Sequence, residues 1–209
     1  FMHRIKILLV SIFVFFSLNA FSQTLEEKIE KFLLENPEVI LKSLQNFEEK
    51  KAKEQEVTNE KIINENLDSL TDTSNGLYAG DINSDKIIVK FFDFNCSYCK
   101  KAHMDIQKLL KKEDVKVVYK NFPILSENSV FLAKLGIFIA EKDIDSFNSF
   151  YKMINENKGR VSKEKLLEIT KKLGVNLDEL NNEKVNVRLE KKLKMDIDLA
   201  NKLGLRGTP

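Results

Sequence analysis

Two cysteines stand three residues apart in the run Cys96-Ser97-Tyr98-Cys99, in a chain of 209 residues that contains only these 2 Cys. The preceding run, Ile87-Ile88-Val89-Lys90-Phe91-Phe92, is β-branched and aromatic and predicts a buried strand. After it, Cys99, Ala102, Ile106 and Leu109 have helical spacing. The pair therefore falls where a strand hands over to the first turn of a helix. Unpaired main-chain N–H groups and the helix macrodipole favour negative charge at such a point. Cys96 is expected to be the attacking, solvent-facing sulfur, and Cys99, one turn on, to face inward and resolve a mixed disulfide. An ordinary thiol pKa of ~8.5 falls to between ~3.5 and ~7.5 in such motifs, which favours the reduced thiolate form by roughly 1 to 7 kcal/mol. Stabilising the reduced form makes the disulfide a stronger oxidant, by ~30 mV per ~1.4 kcal/mol. A closed zinc site would need both cysteines and both histidines, His3 and His103. A purely structural disulfide across so short a loop would constrain little of the unfolded chain. The expectation is a redox-active disulfide, Cys96–Cys99, with no separate cofactor and no metal.

The elements that must position this pair are legible around it. Val115 to Phe122 reads as a second strand, so strand, helix and strand form a βαβ unit with parallel pairing and a right-handed crossover. Thr73-Ser74-Asn75-Gly76 and Gly80-Asp81-Ile82-Asn83-Ser84-Asp85 are turn signals. Residues 126–203 have helical patterning throughout. Ser126 and Asn128 are candidate caps before Val130, Phe131, Lys134 and Phe138; Phe147, Phe150, Tyr151 and Ile154 form a second stripe. Ser162 is expected to cap a helix through Leu166, Leu167 and Leu173, and Val185, Leu189, Leu193, Ile197 and Ala200 to line a last one. Gly174 and Gly204 stand where a left-handed cap residue belongs. The low counts of Gly (7) and Pro (3) agree with a helix-rich chain.

Upstream, residues 25–72 carry 7 Lys/Arg against 13 Asp/Glu, a net of −6. Leu25, Ile29 and Phe32, then Ile40, Leu44 and Phe47, then Ile63, Leu67 and Leu70 make helical stripes, with Ala52 the one apolar residue between Glu48 and Glu56. Asn36-Pro37 reads as a restart, with Asn36 as cap and Pro37 as first helical residue. Such a helix cannot bury its apolar side alone. It must dock on the main domain or on a second copy of itself, and the broken stripe argues against a continuous coiled coil.

Phe1 precedes Met2, which is the expected start. The basic run Met2–Lys6, the apolar run Ile7–Leu18 and the small residues Ala20 and Ser22 have the three-part pattern of a secretory signal peptide cut after Ser22. The apolar run is shorter than the ~20 residues that span a bilayer. Export implies an oxidising compartment. Overall, Lys+Arg 34 against Asp+Glu 32 argues against a nucleic-acid binder. A hydrophobic content of 43% argues against both disorder and a membrane bundle.

The stretch Ile87 to His103 resembles the active-site segment of the DsbA family of thiol:disulfide oxidoreductases. Lys120-Asn121-Phe122-Pro123-Ile124-Leu125 is similar to that family's junction between strand and insertion, and Leu203-Gly204-Leu205-Arg206-Gly207-Thr208-Pro209 to its cis-proline loop. The ordered match covers residues 77–209. The segment around Asn36-Pro37-Glu38-Val39-Ile40 also resembles the leader of DsbA-like and ScsC-like members, in which it can oligomerise the protein. The resemblance implies an α/β, thioredoxin-like fold with an all-helical insertion and an N-terminal helical extension. The expected parts are a signal peptide at 1–22, a helical segment at 23–72, a first thioredoxin-like part at 73–125, the insertion at 126–203, and at 204–209 the start of a second part. Members continue past the equivalent of Pro209 with two strands and a helix, which are missing from this sequence.

The resemblance implies a periplasmic oxidoreductase that exchanges disulfides with exported proteins. The electrons would leave through a DsbB-like membrane partner if it acts as an oxidase. A DsbD-like partner would keep it reduced if it is an oligomeric isomerase or reductase. A scaffold whose helical arm binds partners is the non-enzymatic alternative. Thr208 would contribute the backbone that receives substrate and Pro209 the cis bond; Thr before this proline also occurs among isomerase and reductase relatives. Ser97 and Tyr98 would tune the potential, and Tyr98 could touch substrate. His103, seven residues after Cys96, is expected on the helix surface. Members often carry Glu six residues before the first cysteine, where this chain has Lys90. A cation there favours thiolate. Replacing Lys90 by Glu is therefore predicted to raise the pKa of the cysteine pair; thiolate absorbance titration checks this, and no rise in either thiol would refute it.

Overall fold

A computed structural model describes residues 24–209, so the expected signal peptide at 1–22 lies outside the described residues. The chain forms two compact units, the first ending at Val57 and the second spanning Thr58–Pro209. The division falls earlier than the compositional break at residue 72. The reason is Leu70, which is buried with Phe91, Phe122, Leu199 and Ala200 and so belongs to the second core.

In the first unit, α1 (Leu25–Glu35) opens with a reciprocal capping box. Thr24 Oγ1 accepts the Glu27 N–H at 3.2 Å and Glu27 accepts the Thr24 N–H at 3.1 Å. A second helix, α2 (Pro37–Glu65), starts at Pro37 as the spacing predicts, and its last residues, from Thr58 on, belong to the second unit. Asn36, expected to cap its beginning, accepts the Val39 N–H on its carbonyl at 3.1 Å and also closes α1: its main-chain N–H and its side-chain amide both donate to Phe32 O, at 2.9 and 2.8 Å. Neither α1 nor α2 buries a residue, so Leu25, Ile29, Phe32, Ile40, Leu44 and Phe47 lie exposed.

The second unit continues with α3 (Leu67–Thr71), β1 (Tyr78–Gly80), β2 (Ile87–Phe92), α4 (Ser97–Leu110), β3 (Lys116–Asn121), α5 (Glu127–Lys142), α6 (Ile144–Glu156), α7 (Lys163–Lys172), a 3₁₀ turn (Leu177–Asn181) and α8 (Glu183–Lys202). The sheet order is β1-β3-β2. Strand β2 runs parallel to β3, from Ile87 opposite Lys116 to Phe92 opposite Asn121, with α4 as the crossover, as the βαβ reading requires. Antiparallel β1 was not foreseen, because three residues are too few to show alternation.

The insertion is held by its caps. Ser126 accepts the Ser129 N–H at 3.3 Å, whereas Asn128, the other cap candidate, lies inside α5. Asp143 ends α5 and begins α6, donating its own N–H to Ile139 O and accepting that of Ser146 at 2.7 Å. Ser162 and Asn182 cap α7 and α8. The left-handed backbone expected at Gly174 and Gly204 is present, with φ of 65° and 71°. Two stripes differ from expectation. Helix α5 is buried almost all round from Leu132 to Ala140 while Phe131 stays exposed, because it runs through the middle of the core. In α7, Ile169 is buried and Leu167 exposed.

Helix α5 meets an aromatic cluster of Phe92, Phe94, Tyr119, Phe147, Phe150 and Tyr151, packed mainly edge to face, as in Phe92–Phe94 at 4.9 Å and 84°. Gly136 admits it: a Cβ there would stand 3.3 Å from Phe94 Cζ. At the end of β1, Gly80 has φ of 88°, and a Cβ would lie 2.0 Å from Val115 O. Gly80→Ala therefore combines left-handed strain with a main-chain clash, and is expected to destabilise by more than ~2 kcal/mol. Gly159→Ala, at φ of 73° with open space around it, is expected to cost only about 1 kcal/mol. Urea unfolding of the two variants checks the difference.

Candidate functional site

Strand β2 becomes progressively more buried towards Phe92, so its end delivers the chain into the core. The next three residues turn it onto α4. Asp93 is buried, and its carboxylate accepts two main-chain N–H groups, from Asn95 at 2.7 Å and from Leu125 at 3.0 Å. Its carbonyl accepts the Cys96 N–H at 3.1 Å. Asn95 Nδ2 donates to Ser129 Oγ at 2.9 Å and Asn128 Oδ1 at 3.1 Å, tying the turn to the start of α5. Sequence reasoning passed over both residues. Their signal was present: an Asx-x-Asx pattern directly after a buried strand is an Asx-turn signature.

Cys96 is the N-cap of α4, and its Sγ accepts the Cys99 N–H at 3.3 Å. Ser97 opens the helix on the exposed side, and Tyr98 is 72% exposed. Cys99 is fully buried, as expected. Cys96, expected to face solvent, is only 6% exposed. Thr208 covers it: the Cys96 thiol donates to Thr208 O at 3.3 Å, and Thr208–Pro209 is a cis peptide. The structure thus brings together Cys96, Cys99 and the Thr208-Pro209 loop across 112 residues of sequence. Both cysteines are free thiols.

Their environments are unequal. Burial alone would push the Cys96 thiol up, yet its pKa is lowered, because hydrogen bonds from the Thr208 side chain, the Cys99 N–H, the Cys99 thiol and the Tyr98 N–H outweigh it. Burial dominates at Cys99 and pushes it up to about 11, against a main-chain hydrogen bond from Asp93. Lys90 is buried beneath the pair, and its Nζ donates to Cys99 O at 3.0 Å. Burial lowers its pKa, while the charges of Cys99 and Cys96 act the other way. Lys90 thus lies within electrostatic reach of both sulfurs. Among the described residues no cluster of three or more His, Cys, Asp or Glu is arranged to hold a metal.

His103 corrects the sequence expectation. It is 1% exposed, not on the surface, because Tyr151 of α6 packs over it with ring centroids 5.4 Å apart. Burial, with Lys90 and Lys152 nearby, lowers its pKa to about 4.

Residues 87–209 match the DSBA-like thioredoxin domain. The chain belongs to this family. The curated relatives of the family include a probable disulfide bond formation protein D of Bacillus anthracis, 28% identical over 134 residues, which are 58% of this chain and 62% of the relative. The aligned part thus spans about three fifths of that relative's length. Among solved structures, the thiol-disulfide exchange protein alpha-DsbA2 of Wolbachia pipientis superposes with a TM-score of 0.66 at 27% identity, covering 74% of this chain and 84% of that one. ScsC of Proteus mirabilis superposes with a TM-score of 0.63 at 23% identity, covering 87% and 81%. The family's thioredoxin-like fold, with a helical insertion between β3 and the loop at Thr208-Pro209, is the one described above.

The buried imidazole has a consequence for acid stability. An unfolded histidine binds its proton around pH 6.5, and the folded one only around pH 4. The unfolded state therefore binds more protons between these values, and stability falls as pH drops from 6.5 to 4. This single group is expected to contribute on the order of 2 to 3 kcal/mol of that loss. In urea unfolding across this window the wild type should lose stability relative to His103→Leu as pH falls; parallel curves would contradict the assignment.

Proposed function

We propose that the chain is a thiol:disulfide oxidoreductase whose electron carrier is the Cys96–Cys99 pair, with no other cofactor. The observation that carries this reading is the geometry of the pair: Cys96 Sγ, at the N-cap of α4, accepts the Cys99 N–H at 3.3 Å and meets Thr208 O at 3.3 Å, while Cys99 is fully buried one turn on. In the oxidising direction, a substrate thiolate attacks Cys96 Sγ of the disulfide, the S–S bond breaks, and Cys99 leaves as a thiolate and takes up a proton. A second substrate thiolate then attacks the substrate sulfur of the mixed disulfide, Cys96 departs as the stabilised thiolate, and two electrons have passed from substrate to the pair. Stabilisation of that leaving thiolate favours the oxidase direction. Thr208 and exposed Tyr98 flank the attacked sulfur, where a substrate main chain and side chain would lie.

The substrates in this reading are exported proteins with thiols or disulfides. The leader-like residues 1–22 support a periplasmic location, and a DsbB-like membrane partner would reoxidise the pair. One observation favours a second reading, an oligomeric isomerase or reductase kept reduced by a DsbD-like partner: the first unit leaves Leu25, Ile29, Phe32, Ile40, Leu44 and Phe47 exposed, an apolar surface suited to a second copy of the chain.

The test is a Cys99→Ser variant in cells, together with the redox state of the wild type read by thiol alkylation. The variant is expected to accumulate mixed disulfides with exported proteins through Cys96. A wild-type pair found mainly oxidised supports the oxidase, and one found mainly reduced supports the isomerase or reductase. No mixed disulfide, together with full function of Cys96→Ala, would sink both and leave the helical arm as the working part.

A further inference from the structure

A cleft of about 320 Å³ opens in the second unit between α3, the turn that follows it, β3 and α8. The thiol chemistry uses none of its residues. Lys120 of β3, Asp196 of α8 and Asn66, just before α3, all line it, and each is more than nine-tenths buried. Charged side chains are almost never so enclosed unless paired. These two do not close on each other. Lys120 Nζ makes one hydrogen bond among the described residues, to Asp72 O at 3.1 Å, although an ammonium has three protons to donate. Asp196 Oδ2 accepts the Asn121 N–H at 2.8 Å and the Asn121 side-chain amide at 3.2 Å, while Oδ1 accepts nothing among the described residues. Asn66 gives its Nδ2 to Ile62 O at 2.7 Å, which leaves its Oδ1 for the cleft. The two charges still feel each other: burial raises the pKa of Asp196, and Lys120 pulls it the other way.

The remaining charges around the cleft are mostly occupied. Asp198 holds Lys194 Nζ at 2.7 and 2.6 Å, and Asp72 accepts the N–H and the hydroxyl of Ser74 at 2.8 and 2.9 Å. Lys202, at the rim, has no hydrogen bond or ion pair among the described residues. The groups with valence to spare are therefore two ammoniums, Lys120 and Lys202, and one carboxylate oxygen, Asp196 Oδ1. A simple anion that reached Lys120 would also meet the carboxylates of Asp72, Asp196 and Asp198. A simple cation that reached Asp196 would meet the buried ammonium of Lys120. A ligand that carries both signs escapes both repulsions. Met195 and Leu199 add an apolar stretch to the wall. The volume lies at the lower end of the ~300–1,000 Å³ of small-molecule sites, so the ligand must be small.

We propose that this cleft binds a small zwitterion, a free α-amino acid with an aliphatic side chain. Its carboxylate takes the spare donors of Lys120 and Lys202. Its ammonium donates to Asp196 Oδ1 and Asn66 Oδ1, and its side chain lies against Met195 and Leu199. The ligand thus fills the gap that the buried ammonium and the buried carboxylate leave between them, and it satisfies both. The inference goes beyond the thiol-exchange reading and does not rest on it, since no residue of the site belongs to the cysteine pair or its loop. Once bound, the ligand would join α3, β3 and α8 into one clamp. Helix α8 leads directly into the Leu203–Pro209 segment.

The experiment is a calorimetric titration of the full chain with three probes: leucine, N-acetyl-leucine, which keeps only the carboxylate, and leucine methyl ester, which keeps only the ammonium. Leucine is expected to bind with a Kd below about 1 mM. Each single-charge analogue is expected to bind at least about tenfold more weakly, because each loses one set of charge-assisted hydrogen bonds. Asp196→Asn retains an oxygen for the Asn121 N–H and removes the charge, so it should weaken leucine by a similar factor. Urea unfolding reports whether that variant keeps its fold; if it does not, the two analogues decide on the wild type alone. N-acetyl-leucine as tight as leucine would mean a plain anion site, and the methyl ester as tight as leucine a plain cation site; either overturns the proposal. No binding of leucine to the wild type, or full affinity in a folded Asp196→Asn, overturns it equally.

Discussion

The N–H of Cys99 pointing at the sulfur of Cys96 is the contact on which the rest of the site depends. It exists because Cys96 occupies the N-cap position, where a side-chain acceptor satisfies one of the helix's orphan donors. Ser126 and Ser162 do the same task with oxygen at the starts of α5 and α7. A sulfur in that place gains a structural partner and a reason to ionise from one interaction. Everything upstream keeps it there. Strand β2 delivers the chain into the core, Asp93 gathers the turn by accepting two main-chain donors, and Asn95 fastens the turn to α5.

Two sulfurs a single turn apart would behave alike in water; here burial separates them. Cys99 sees the aromatic core and the underside of its own helix, and is pushed up to about 11. Cys96 is nearly as enclosed, but what encloses it is polar: Thr208 and the first turn of α4. The difference lies in the kind of neighbour more than in exposure. Lys90 lies under both, with its ammonium on Cys99 O, so one buried cation is shared by the helix backbone and by whichever sulfur carries charge.

Most of this was legible in local sequence. The cysteine spacing, the β-branched run before it, the helical stripe after it, Ser126, Ser162 and the glycines at 174 and 204 all act through neighbours within one or two turns. The misreadings have a common cause, which is cover supplied from far along the chain. His103 looked like a surface residue because nothing near it in sequence hides it; Tyr151, on another helix, does. Cys96 looked exposed because the residue over it is 112 positions away. Helix α5 was read as a stripe through Val130, Phe131, Lys134 and Phe138, yet it crosses the core and is packed nearly all round. Asn36 was read as a beginning and is an ending too: its side chain bonds back to Phe32 O while its carbonyl accepts the Val39 N–H.

The central claim is that Cys96 is ionised more readily than an ordinary thiol although it is buried. The most direct measurement is the rate of alkylation of Cys96 in the reduced protein as a function of pH, with Cys96 identified by peptide mapping. The account predicts a midpoint clearly below the ~8.5 of a free cysteine, with Cys99 unmodified through the same range. A midpoint at or above that value, or equal labelling of the two sulfurs, would contradict it.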